Sequence, residues 1–219
     1  MKKSLLMLFL LMASAFLVQA GACGTGTLAT YDAVGFSCTI DGLTFSGFSY
    51  STSASGGATA PDASGVTVIP QSTGFLFQAF WAAGPNQTED SLINYTATCT
   101  SGANCITDLF LQMVGGASLT GAASVAETAS NGASLLVFAG GGTSLLTDSQ
   151  TFSPVETLSV QKDIGVGGGT GGAGHISGAY NLFSTTSTVP EPALAILCAG
   201  MLFVIPAARR KFGPKVESL

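Results

Sequence analysis

The chain has 219 residues, of which only 9% are charged, and 29 are glycine. Helical bundles and coiled coils need long runs of Glu, Lys, Arg and Leu, and typical soluble domains carry roughly 25% charge, so helical classes are excluded. Between residues 21 and 189 a single cation, Lys162, stands against ten carboxylates, which excludes nucleic acid and recognition of phosphates by basic side chains.

At the N-terminus Lys2 and Lys3 precede an apolar run from Ser4 to Val18. A positive start followed by an apolar stretch too short for a comfortable membrane span is a secretory signal peptide, here residues 1–20. Val18-Gln19-Ala20 offers the modest side chains that a signal peptidase reads, so cleavage is expected after Ala20. The rival is a lipoprotein site: Ala20-Gly21-Ala22-Cys23 has the small residues for lipidation of Cys23 but lacks the preceding leucine. Signal peptidase and the Sec export machinery are therefore expected partners.

Residues 21–188 form the expected ectodomain, and their apolar period is two. In Leu43–Tyr50 the apolar set is 43 and 45, then 48 and 50, a phase slip at Ser46-Gly47 of the kind a β-bulge makes. Phe75, Phe77, Ala79 and Trp81 share one face. Ile93, Tyr95, Ala97 and Cys99 alternate with Asn94, Thr96 and Thr98, and Leu109, Leu111 and Met113 repeat the pattern. Further strands are expected near 66–70, 123–129, 134–139, 151–162 and 175–184, separated by Gly, Pro and Asn clusters. Eight or nine short strands with no long helix give an all-β fold, a β-sandwich of jelly-roll type. The glycine-rich run Gly165–Gly174 lacks the following helix that a phosphate loop needs, and reads as a flexible loop.

Four cysteines fall in this region: Cys23, Cys38, Cys99 and Cys105. An even number in an exported chain points to two disulfides. Three pairings are open; Cys23–Cys38 and Cys99–Cys105 are favoured because each closes a local loop. A zinc site, the rival, would want tighter C-x-x-C pairs. Cys198 lies in the C-terminal apolar run and is expected to stay unpaired.

Little points to catalysis. His175, the sole histidine, follows the glycine run, and no G-x-S-x-G elbow exists. Carboxylates such as Glu89, Asp90 and Asp108 could pair across a cleft as in glycoside hydrolysis, but only one tryptophan is present to line it. Calcium needs only carboxylates and carbonyls, yet no D-x-D-x-D repeat occurs. No catalytic residue, metal ligand or cofactor is assigned, and the chain is not expected to be an enzyme.

At the C-terminus Val189-Pro190-Glu191-Pro192 is stiff and extended. Ala193–Ala208 follows, sixteen uncharged residues and so slightly short of the ~20 that span a bilayer. Arg209, Arg210 and Lys211 come next, a basic stop that holds the tail in the cytoplasm. One transmembrane helix, with residues 189–211 as a sorting signal and 212–219 as a cytoplasmic tail, is expected. The combination of Pro190, Glu191 and Pro192, a short span and a basic stop resembles the PEP-CTERM sorting signal of Gram-negative bacteria. That resemblance implies recognition and cleavage by an exosortase, transient residence in the inner membrane, and a link to exopolysaccharide and biofilm matrix. Cys23–Tyr31, Gly35-x-x-Cys38 and Phe45-x-x-Phe48-x-Tyr50 are similar to uncharacterised PEP-CTERM ectodomains of acidobacteria, which bring no established activity. Two functions follow as expectations: a structural or adhesive component of the surface or matrix, or a carbohydrate-binding module or weak glycan-active enzyme, stabilised by calcium or not.

Overall fold

The computed structural model describes residues 20–186. The strands are β1 (Gly21–Ala22), β2 (Gly26–Thr27), β3 (Ser37–Ile40), β4 (Leu43–Ser55), β5 (Thr67–Pro70), β6 (Gly74–Ala83), β7 (Thr88–Cys99), β8 (Ile106–Ser118), β9 (Ala122–Ala129), β10 (Ser134–Gly140), β11 (Thr143–Leu145), β12 (Thr147–Val155), β13 (Thr157–Gly167) and β14 (Ala173–Thr185). One helical turn, α1 (Leu28–Tyr31), is capped by Thr27, whose hydroxyl accepts from the Thr30 N–H at 3.4 Å. The strand count exceeds the expected eight or nine because several short edge pieces carry no alternation long enough to read.

The larger sheet has the order β1-β3-β4-β7-β13-β9-β10-β11 and the smaller β12-β8-β14-β6-β5-β2. Every pair is antiparallel except β1 with β3. From β4 onward the chain repeatedly changes layer, so that β7, β9 and β13 of the larger sheet alternate with β6, β8, β12 and β14 of the smaller.

Alternation decides which side chains meet between the sheets. In β7 the inward set is Glu89, Ser91, Ile93, Tyr95, Ala97 and Cys99, all buried. The phase slip at Ser46-Gly47 is a β-bulge: the β4–β7 register shifts between Ser46 and Ser49, and Gly47 sits at φ 65°. It returns Phe48 to the core, where Tyr31, Phe45, Phe48, Phe75, Phe77, Tyr95 and Phe183 pack with ring centroids between 4.7 and 6.4 Å apart. Each such aromatic pair adds about 0.5–1.5 kcal/mol beyond its area burial.

Polar groups share this core. Lys162 stands on β13 in phase with Leu158, Val160, Ile164 and Val166, so the strand points it inward, where it is fully buried. Directly opposite on β9 is Glu127, also buried, and Lys162 Nζ donates to Glu127 Oε2. From the facing sheet Asn181 Nδ2 donates to Glu127 Oε1 at 2.9 Å, and the Tyr95 hydroxyl donates to Asn181 Oδ1. Burial pulls the Lys162 ammonium pKa down and pushes the Glu127 carboxyl up, each partly offset by the other.

The glycine run differs from its expected flexibility. Gly165–Gly167 complete β13, and Gly168–Gly172 make a tight crossing to β14. The Gly168 N–H donates to Gln87 O at 3.0 Å, Asn86 N–H to Gly169 O at 2.6 Å, and Gly172 N–H to Gly168 O at 2.8 Å. A side chain at Gly168 would fall 1.8 Å from Gly84 O, and one at Gly172 would fall 2.2 Å from Ser118 O. Glycine serves close backbone approach here, and slack is not its role.

Both favoured disulfides are present. Cys23–Cys38 joins β3 to the segment after β1, and Cys99–Cys105 clips the end of β7 to the start of β8. Their sequence separations are 15 and 6. By loop-closure entropy, Cys23→Ser with Cys38→Ser should cost about 3 kcal/mol and Cys99→Ser with Cys105→Ser about 2 kcal/mol. Urea unfolding of the two double variants checks the order; equal midpoints with the parent would show that the links close no entropy gap.

Candidate functional site

The outer face of the larger sheet carries the most regular chemistry. Outward positions of β4, β7, β13 and β9 are Ser49, Ser51, Ser53, Asp90, Leu92, Asn94, Thr96, Thr98, Thr157, Ser159, Gln161, Asp163, Ser124 and Thr128. Period-two alternation places them there. Antiparallel register then lines them in rows: Ser49, Asn94, Gln161 and Thr128 form one, and Ser46, Thr96 and Ser159 another.

The rows are hydrogen-bonded crosswise. Asn94 Nδ2 donates to Ser49 Oγ at 3.1 Å, and Gln161 Nε2 donates to Asn94 Oδ1 at 3.2 Å. Thr96 and Ser159 hydroxyls meet at 3.2 Å, and Thr157 Oγ1 donates to Thr98 Oγ1 at 3.3 Å. The bulge at Gly47 hollows this face into a groove of about 460 Å³, walled by Asn94, Thr96, Thr128, Ser130, Ser159 and Gln161. A second hollow of about 530 Å³ adjoins at Gly47 and is walled by Phe36, Phe48 and the fully exposed Val34. The surface offers hydroxyl and amide donors and acceptors with an aromatic edge at one end. Its charge is confined to Asp90 and Asp163, whose side chains come together beyond the groove. Partial burial pushes the Asp163 carboxyl pKa up, and the hydrogen bond and charge of Asp90 push it further.

The smaller sheet shows a different outer face. Phe80 and Val114 are exposed there, with Leu76, Phe110, Tyr180 and Leu182 half-buried beside them.

The residues singled out in sequence scatter. His175 is exposed on β14. Glu89 points inward and is buried, with Oε2 accepting from the Ala82 N–H at 3.0 Å and Oε1 without a partner; burial pushes its carboxyl pKa up. Its neighbour Asp90 faces the opposite side of the sheet, and Asp108 lies on the smaller sheet, bonded to the Ser184 N–H at 2.6 Å. Glu89, Asp90 and Asp108 are therefore not assembled across one cleft. Among the described residues no group of three or more His, Cys, Asp or Glu comes together as a metal site. Ala20 is described; Pro190, Glu191, Pro192, Arg209, Arg210 and Lys211 lie outside the described residues, as do the expected signal peptide and apolar span. No helix among the described residues is long and apolar enough to cross a membrane.

Sequence reasoning missed Lys162, Glu127, Asn181 and Tyr95 as a group. The signal was there: Lys162 and Glu127 fall on the apolar phase of their strands, and a charged residue in that phase is buried and paired.

No protein-family model matches the sequence, and no curated protein matches it significantly. Among solved structures the chain is similar to TmCBM61 in complex with β-1,4-galactotriose, at 10% identity and a TM-score of 0.30, covering 62% of this chain and 88% of that one. It is also similar to the enzymatically active domain of bacteriophage CBA120 tailspike protein 4, at 14% identity and a TM-score of 0.23, covering 63% and 19%. A family 11 carbohydrate-binding module from Clostridium thermocellum with a β-1,3-1,4-mixed-linked tetrasaccharide aligns at 12% identity and a TM-score of 0.20, covering 73% and 96%.

The contact between Asp90 and Asp163 yields a pH test. The folded pKa of Asp163 lies above its unfolded value, so ionisation costs stability as pH rises through that window and the cost is absent below it. Asp163→Asn should therefore raise the thermal midpoint at pH 7 and leave it unchanged near pH 3. An equal shift at both pH values would show that the two carboxylates do not interact.

Proposed function

We propose that the chain is an exported cell-surface or extracellular-matrix protein with a structural or adhesive role, sorted by its C-terminal segment. In this reading an exosortase cuts near Pro190, Glu191 and Pro192, while Arg209, Arg210 and Lys211 hold the tail on the cytoplasmic side.

The observation that supports it is the pair of disulfides, Cys23–Cys38 and Cys99–Cys105. Gly21, the residue after the expected cleavage point, already pairs with Cys38 in β3. Cleavage after Ala20 would leave that pairing in place. At the other end the Thr186 N–H donates to Cys105 O at 2.8 Å, four positions before Pro190. Cleavage at Pro190, Glu191 and Pro192 would leave that bond and the β14 ladder, which runs to Thr185, in place. The two disulfides fit an oxidising compartment, periplasmic or extracellular. Changing Pro190, Glu191 and Pro192 together to Ala should leave export and disulfide formation intact while the protein accumulates uncleaved in the membrane fraction of the native host. Release into the medium at the parental rate would refute processing at this motif.

A second reading is favoured by one observation, the hydrogen-bonded ladder of Ser49, Asn94 and Gln161 over a groove with few charges. Neutral glycans present the complementary hydroxyls, and the aromatic edge at Phe36 suits a sugar face. On a neutral-glycan array the secreted protein should bind, and Asn94→Ala with Gln161→Ala should weaken that binding about tenfold, given about 0.5–1.5 kcal/mol net for each neutral hydrogen bond. Binding that survives the double change would move the site off this face.

A further inference from the structure

We propose that Lys162 and Asn181 form an intramolecular isopeptide bond, made by the folded domain itself with Glu127 as the acid–base group. The reading goes beyond the surface role above and does not depend on it.

The geometry carries the argument. The two nitrogens are held by the two oxygens of one carboxylate: Lys162 Nζ on Glu127 Oε2, and Asn181 Nδ2 on Glu127 Oε1 at 2.9 Å. A primary amine and a carboxamide are thereby fixed side by side, which removes most of the entropic cost of bringing them together. The Tyr95 hydroxyl donates to Asn181 Oδ1, the atom on which negative charge develops when the carboxamide carbon is attacked. Lys162 and Asn181 are 0% exposed, and Glu127 and Tyr95 are 1% exposed. Water that would compete for the acyl carbon is excluded. A simple ion pair would require neither a carboxamide on the second carboxylate oxygen nor a hydroxyl on the carboxamide oxygen.

The step balances without any added reagent. Nζ, as the neutral amine, attacks Asn181 Cγ; the Cγ–Nζ bond forms and the Cγ–Nδ2 bond breaks. Glu127 takes a proton from Nζ at Oε2. It delivers one to Nδ2 at Oε1, since Nδ2 becomes basic once Cγ is tetrahedral. Ammonia leaves, and the carboxyl ends in the state in which it began. Burial favours the neutral amine and the protonated carboxyl that this route needs. The product joins β13 of the larger sheet to β14 of the smaller, and closes a covalent ring around the glycine crossing between residues 162 and 181.

Lys162 is the only trypsin site between Lys3 and Arg209, so the chain supplies its own assay. Full-length protein recovered from the periplasm is reduced, denatured and digested, and its intact mass is measured beforehand. The expected result is a domain left in one piece at Lys162, a mass lower by one ammonia, and a fragment spectrum linking Lys162 to Asn181. Glu127→Gln and Asn181→Ala should each restore cleavage after Lys162 and the full mass. If either variant fails to fold, the parent still decides: complete cleavage at Lys162 with the full mass overturns the proposal. So does a loss of water mapped to a Lys162–Glu127 link.

Discussion

Lys162 gives up its whole hydration shell to stand between two sheets, and much of the sandwich is arranged so that it can. An isolated ammonium in an apolar core is prohibitively costly, and losing one partner of a buried pair typically costs about 3–5 kcal/mol because the other is left uncompensated. The register of β13 against β9 must therefore set Lys162 opposite Glu127. A slip of one residue would turn every inward side chain of β13 to solvent and leave Glu127 buried alone. The second carboxylate oxygen is occupied from the facing sheet by Asn181. One polar cluster thus fixes the register within a sheet and the position of one sheet over the other.

The same cluster explains how a chain that so often changes layer keeps a single arrangement. Strands adjacent in sequence repeatedly lie in opposite sheets, so most pairings are long-range and give little local guidance during folding. Specificity has to come from groups that tolerate only one partner, and the ion pair, the two disulfides and the interlocked rings around Phe75 and Tyr95 are of that kind. Cys23–Cys38 lies near the start of the described residues, where a strand would otherwise fray, and Cys99–Cys105 closes the β7–β8 connection. Each covers a place where pairing is short or irregular, Cys23 after the two-residue β1 and Cys105 at the start of β8.

With the strong chemistry buried, the exterior is left to weak, repeated interactions. The larger sheet presents rows of hydroxyls and amides already bonded to one another. The smaller sheet presents Phe80 and Val114 to solvent. The domain thus combines a core closed to solvent, two disulfides and a polar outer groove.

The sequence by itself determined the strands that matter, the Ser46-Gly47 bulge and the polar outward positions, and it favoured the disulfide partners, because each is written in local spacing: period two, a phase slip, a short loop between cysteines. It did not determine which strands become neighbours. Lys162, Glu127 and Asn181 are far apart along the chain, and only the register of β13 on β9 and the stacking of β14 across the core bring them together. Gly165–Gly174 shows the same limit. Glycine permits slack and close packing equally, and the difference was decided by Gly84 O and Ser118 O, which leave no room for a side chain at Gly168 or Gly172. Burial of the domain's one lysine was legible as a phase, but its partners were a property of the tertiary structure alone.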